Sequence, residues 1–139
     1  VQYEQTFDVR WADLDANRHL RNTAYSEYAT HLRFRFLADH GYDQARFGQL
    51  QIGPVVFREE TRFLKEVLAS DRITVGMEVR EMTRQGKWHI RHPVRRGDGQ
   101  LAAVVDLEGA FFSLATRRLT RPPAELVDTL MTLHAEQGG

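Results

Sequence analysis

The longest helix-spaced stretch of this chain lies between one strand-like segment and a run of several more, and that order leaves few ways to bury its apolar residues. Ala24, Tyr25, Tyr28, Ala29, Leu32 and Phe36 recur every three or four residues, with Asn22 or Thr23 as candidate N-cap and Gly41 as the C-terminal stop. Ahead of it, Phe7, Val9 and Trp11 alternate with Thr6, Asp8 and Arg10, the period-two pattern of a half-buried strand. Residues 41–53 read as a long connection. Val55, Phe57, Thr61 and Phe63 then share one parity, interrupted by Glu59, and Ile73, Val75, Met77 and Val79 alternate more cleanly. Gln85-Gly86 and Asp98-Gly99 supply turns on either side of a strand in which Trp88, Ile90 and Val94 point one way. A last strand spans 101–114, with Gly109 marking a bulge or a close backbone approach. Pro122-Pro123 then precedes a helix from Ala124 to about His134. The class expected is α+β, an antiparallel sheet of about five strands against a long helix, with a C-terminal helix.

Composition narrows the functional classes. A chain of 139 residues reads as one domain, 1–139, large enough to bury a core without staples. It has no cysteine, hence no disulfide, thiol nucleophile or cysteine-ligated zinc. A net charge of zero argues against a broad phosphate-neutralising surface, so no nucleic-acid partner is expected. No apolar run approaches the roughly 20 residues that span a bilayer, and a cytoplasmic location is expected. The six histidines show no His-Glu-x-x-His arrangement, and His89 and His92, three apart in a strand, fall on opposite faces. No metal and no separate cofactor is expected.

The chemistry concentrates at the junction of the first strand and the long helix. Asp13, Asp15, Asn17, His19 and Asn22 crowd into ten residues there. A helix N-terminus offers unsatisfied N–H groups and the positive end of the macrodipole, suited to a carbonyl oxygen gaining negative charge. An aspartate ionised at neutral pH beside such a terminus supplies a base or a nucleophile.

The run Asp13-Leu14-Asp15, then Arg18-His19-Leu20-Arg21-Asn22, then Tyr25 resembles a known pattern. Hotdog-fold acyl-CoA thioesterases of the 4-hydroxybenzoyl-CoA thioesterase type carry Asp-x-Asp, then Gly-His-Val-Asn-Asn, then an aromatic residue. Gly53-Pro54-Val55-Val56, three further strands and a helix start at Pro122-Pro123-Ala124-Glu125-Leu126 follow in the family's order. Arg18 departs from the family's usual Gly, and Arg21 from its usual Asn.

The resemblance implies a hotdog fold and thioester hydrolysis. Asp15 takes the catalytic carboxylate position and the backbone N–H of Asn22 the oxyanion donor. Glu27 is the reserve acid, by analogy with another hotdog branch, while Asp13 and His19 shape the loop. Arg84 and Lys87, around Gly86 in the turn between the third and fourth strands, are the expected CoA-phosphate contacts. The resemblance also implies a homodimer or homotetramer with the active site at the subunit interface, and an acyl-CoA or acyl-carrier-protein substrate. Two other readings stand beside it. One is a non-catalytic acyl-thioester-binding module. The other is an enoyl-CoA hydratase on the same fold, disfavoured because its motif has Pro after Asn and His five residues after Asp.

Overall fold

The computed structural model describes residues 3–138, with the backbone alone for 135–138. In chain order come β1 (Tyr3–Asp8), a 3-10 turn (Trp11–Asp13), α1 (Asn22–Asp39), α2 (Gln44–Leu50) and β2 (Ile52–Phe63). β3 (Arg72–Met82), β4 (Trp88–Arg96), β5 (Leu101–Ser113) and α3 (Ala124–Gly138) complete it. The five strands form one antiparallel sheet in the order β1-β3-β4-β5-β2, so β2 lies at an edge.

The sheet wraps around α1. The helix buries Ala24, Tyr25, Tyr28, Ala29, Leu32, Phe36 and Leu37 against the sheet face carrying Ile73, Val75, Met77, Val79, Ile90 and Val94. α3 covers β3 farther along with Leu126, Val127, Leu130 and Leu133. At the C-terminal end of α1, Gly41 adopts φ +90°. Its N–H reaches the carbonyl of Ala38, and the N–H of Tyr42 reaches that of Leu37, which closes the helix as a Schellman motif.

Gly86 and Gly99 also sit at positive φ, in the two hairpin turns expected of them. Gly109 marks a close approach: a Cβ there would stand 1.9 Å from the Val55 carbonyl oxygen and 2.5 Å from the Trp88 ring.

Five expectations are corrected. The first strand stops at Asp8, and Trp11 opens the 3-10 turn, 87% exposed, instead of extending the alternation. The connection at 41–53 contains α2, whose N-cap Asp43 accepts a hydrogen bond from the Arg46 N–H. The N-cap of α1 is Arg21, not Asn22 or Thr23, and no side chain caps the helix. In β2 a bulge between Val56 and Arg58 changes the parity: Pro54 and Val56 face inward before it, and Glu59, Thr61 and Phe63 after it. The C-terminal helix also runs past His134, to Gly138.

Candidate active site

The segment between β1 and α1 folds back on itself as a miniature hairpin. The carbonyl of Asp13 accepts the N–H of Arg21 at 2.8 Å, Leu14 bridges Leu20, and the Asp15 N–H reaches the carbonyl of His19 at 2.8 Å. Its base is held by Asp13, which is 1% exposed. The Asp13 carboxylate accepts two hydrogen bonds from Arg10 (2.7 and 3.0 Å), one from Arg21 (3.0 Å) and one from the Tyr28 hydroxyl (2.7 Å). The Arg10 bonds foremost, with those of Tyr28 and Arg21, hold this carboxyl below the usual aspartate range against the opposing effect of burial. Asp13 thus joins the 3-10 turn, the helix N-cap and the body of α1.

Asp15 occupies the exposed tip. Its Oδ1 accepts the N–H groups of Asn17 (2.8 Å) and His19 (3.1 Å), an Asx turn in which the Arg18 N–H also reaches the Asp15 carbonyl at 3.0 Å. The turn requires a left-handed residue, and Arg18 supplies it at φ +63°. A glycine, which the resemblance would place here, adopts that conformation without the Cβ penalty. The Asp15 charge lies close enough to Tyr25, on the first turns of α1, to reinforce the upward pKa shift that burial imposes on that phenol. His19 places Nε2 3.0 Å from the Glu66 carboxylate and pairs its backbone with Leu68.

The start of α1 is open. With Arg21 at the N-cap, the N–H groups of Asn22 and Thr23 have no acceptor among the described residues; the first bonded amide is that of Ala24, to the Arg21 carbonyl at 3.0 Å. The Arg21 side chain is drawn instead to Asp13, to Thr23 and to Glu27 (2.9 Å).

From this terminus a cleft of about 640 Å³ runs between α1 and β2. Asn22, Thr23, Ser26, Glu27 and Thr30 line one wall, and Glu59, Thr61 and Phe63 the other. Asn22 and Glu27 therefore share the cleft, while Asp15 stands in the adjoining turn. Glu59 was not singled out from sequence as a site residue. Its signal was the interruption in the β2 pattern, and the bulge at 57 is what turns it inward, where it accepts a hydrogen bond from the Ser26 hydroxyl.

Arg84 and Lys87 lie elsewhere. Their turn joins β3 to β4 at the end of the sheet remote from the Asp15 loop, which packs where β3 begins. The eleven residues of β3 span about 35 Å between those ends. Arg84 pairs with Asp128 of α3 at 2.8 Å, and Lys87 approaches Glu81 at 3.8 Å. Within one chain they do not meet Asp15. Among the described residues no three His, Cys, Asp or Glu side chains gather as a metal-ligand set, and no helix is long and apolar enough to cross a membrane.

Solved structures reproduce this fold over almost the whole chain. The hypothetical protein SAV2348 of Staphylococcus aureus, solved in complex with CoA, superposes with a TM-score of 0.91 at 20% identity, covering 97% of this chain and 85% of its own. A DHNA-CoA thioesterase from Staphylococcus aureus gives 0.86 at 15% identity, with 99% and 95% covered. Slr0204, a 1,4-dihydroxy-2-naphthoyl-CoA thioesterase from Synechocystis, gives 0.85 at 12% identity, with 96% and 98% covered. These matches establish the hotdog fold. No curated protein sequence matches the chain. The profile of a protein family does match, over residues 9–130, and by that match the chain belongs to the thioesterase-like superfamily.

Proposed function

We propose that this protein is an acyl-CoA thioesterase in which Asp15 acts as nucleophile or general base and the start of α1 stabilises the oxyanion. The observation that carries the reading is the uncapped terminus of α1. Among the described residues the Asn22 and Thr23 N–H groups have no acceptor, and a carboxylate stands in the adjoining turn. In the general-base route Asp15 takes a proton from water as the water oxygen attacks the thioester carbonyl. The C–S bond then breaks, the proton passes to the departing thiolate, and free acid and thiol result. In the nucleophilic route an Asp15 carboxylate oxygen attacks the carbonyl, and the C–S bond breaks to give a mixed anhydride and a thiolate. Water then cleaves the anhydride to the free acid and the regenerated Asp15 carboxylate, while the proton released goes to the thiolate. Charge develops on the carbonyl oxygen in both, and one preorganised donor is worth about 3–4 kcal/mol of barrier.

The same reading makes the active unit a homodimer joined through the β2 edges. A two-fold antiparallel pairing of β2 with its copy sets the Ile52 end of one chain beside the Phe63 end of the other. That brings the turn bearing Arg84 and Lys87 toward the partner's Asp15 loop, the arrangement in which these two residues would contact CoA phosphates. Asp13 and His19 shape the loop, Glu27 is the reserve acid, and a cytoplasmic location goes with an acyl-CoA substrate.

The test is free-thiol release from short, long and aromatic acyl-CoAs by the native protein beside Asp15→Asn, matched in folding and oligomeric state. A loss of 10²-fold or more in the variant supports the assignment. Equal turnover moves the role to Glu27. Saturable acyl-CoA binding with no thiol from any substrate identifies a binding module instead.

A further inference from the structure

One turn beyond the cleft, α1 carries a cation in apolar surroundings. Arg33 is half-buried, and its guanidinium donates to the Thr30 hydroxyl at 3.1 Å and to Nε2 of His92 at 3.2 Å. His92 is fully buried, and its Nδ1–H is taken by the Gly76 carbonyl at 2.8 Å, which leaves Nε2 as the acceptor facing Arg33. Both partners are neutral, and no carboxylate stands within ion-pair distance of the guanidinium among the described residues. The acid that acts on Arg33 is Glu59, which Ser26 holds on the cleft wall. Desolvation pushes the Arg33 pKa down to about 10.

Among the described residues, Arg33 is also the one charged residue around a second cavity, of about 70 Å³, walled by Phe34, Leu37, Pro54, Val56 and Phe111 among others. A half-buried guanidinium with no carboxylate at ion-pair distance among the described residues is costly, and its planar fork matches a carboxylate. The cavity follows the cleft along α1. Asn22, Ser26 and Thr30 face the cleft at four-residue intervals, and Asn22 to Thr30 is about 12 Å of helix.

We propose that Arg33 receives a carboxylate at the far end of the acyl chain, making ω-carboxyacyl thioesters of medium length the preferred substrates. The inference rests on the thioesterase reading for where the thioester sits. Glu27 and Glu59 repel a carboxylate along the cleft walls, and Arg33, beyond ion-pair reach of Glu59, is the cation that meets one at the far end.

Suberoyl-CoA and octanoyl-CoA, equal in chain length, provide the comparison. Two measurements are made on each of the native protein, Arg33→Met and Arg33→Lys: kcat/KM with the thioesters, and calorimetric affinity for the matching hydrolysis-resistant thioethers, 7-carboxyheptyl-CoA and octyl-CoA. The native protein is expected to favour the carboxylate-bearing member at least tenfold in both. Arg33→Met is expected to bring both ratios to about one or below, and Arg33→Lys, which keeps the charge without the fork, to an intermediate value. A native protein that binds octyl-CoA as tightly as its carboxylated counterpart overturns the assignment without recourse to any variant, even if Arg33→Met fails to fold. Selective binding of the carboxylated thioether without hydrolysis of either ester upholds it while overturning the thioesterase reading.

Discussion

His92 shows how one buried side chain ties stability to pH. Its Nδ1–H and Nε2 are both engaged, and burial, reinforced by the Arg33 charge, pushes its pKa down to about 3. In the unfolded chain a histidine titrates near about 6.5. Between those values the unfolded chain takes up a proton that the folded protein refuses. The stabilisation from a neutral His92 is therefore complete above the unfolded pKa and drains away as pH falls toward 3, with a limiting slope of about 1.4 kcal/mol per pH unit. Urea midpoints at pH 7.5, 6.5, 5.5 and 4.5 should fall steadily below 6.5 in the native protein. His92→Asn, which cannot take up that proton, should start lower and decline less steeply. Identical slopes would remove His92 as the source.

At the scale of elements, the hairpin at 13–21 holds its tip in a conformation that its sequence resists. A non-glycine residue in the left-handed region costs about 1–2 kcal/mol, partly offset because glycine loses more freedom on folding. Arg18→Gly should therefore raise the unfolding free energy by about 0.5–1 kcal/mol, and Arg18→Val, β-branched, should lower it. Equilibrium unfolding of the three proteins checks the order, and a glycine variant less stable than the native protein would show that the Arg18 side chain outweighs its backbone strain.

The same elements show what can be read from sequence and why. The turns at Gly86 and Gly99 and the stop at Gly41 were legible because a positive φ is a local demand that glycine answers. α2 was not, since seven residues with Gly48 inside form too short a pattern to show a period. The bulge at Phe57 was hidden because the sequence records parity but not the register against β5. That one slip turned Val56 inward and Glu59 into the cleft. The ion-pair cluster around Asp13 and the Arg33–His92 contact join residues up to 59 positions apart, a separation over which spacing carries no signal.

For the molecule as a whole, the two faces and the β2 edge of the sheet differ in kind. The face away from α1 is a lattice of paired charges: Asp8 with Arg72, Arg91 and His89 with Asp106, Arg58 with Glu108 and Glu60. Stacking a second sheet there would strip water from all of them, a cost that ion pairs at a buried interface seldom recover. The β2 edge is the opposite. It is twelve residues long with its outer side unpaired, and Val56, Phe57, Phe63 and the neighbouring Leu64 are 44–63% exposed along it. Association through β2 should therefore end at two chains, with a mass in light scattering of twice 16.1 kDa instead of four times. Phe57 is unpaired in the β5 ladder and 63% exposed, so Phe57→Lys should leave the single chain folded while placing a charge in the seam. The expected outcome is a protein of monomer mass with native circular dichroism and thiol release reduced by at least tenfold, because in the proposed dimer the site is shared between subunits and is lost with the partner. A Phe57→Lys monomer that retains full turnover would confine the whole active site to one chain and leave Arg84 and Lys87, at the far end of the sheet, without a part in it.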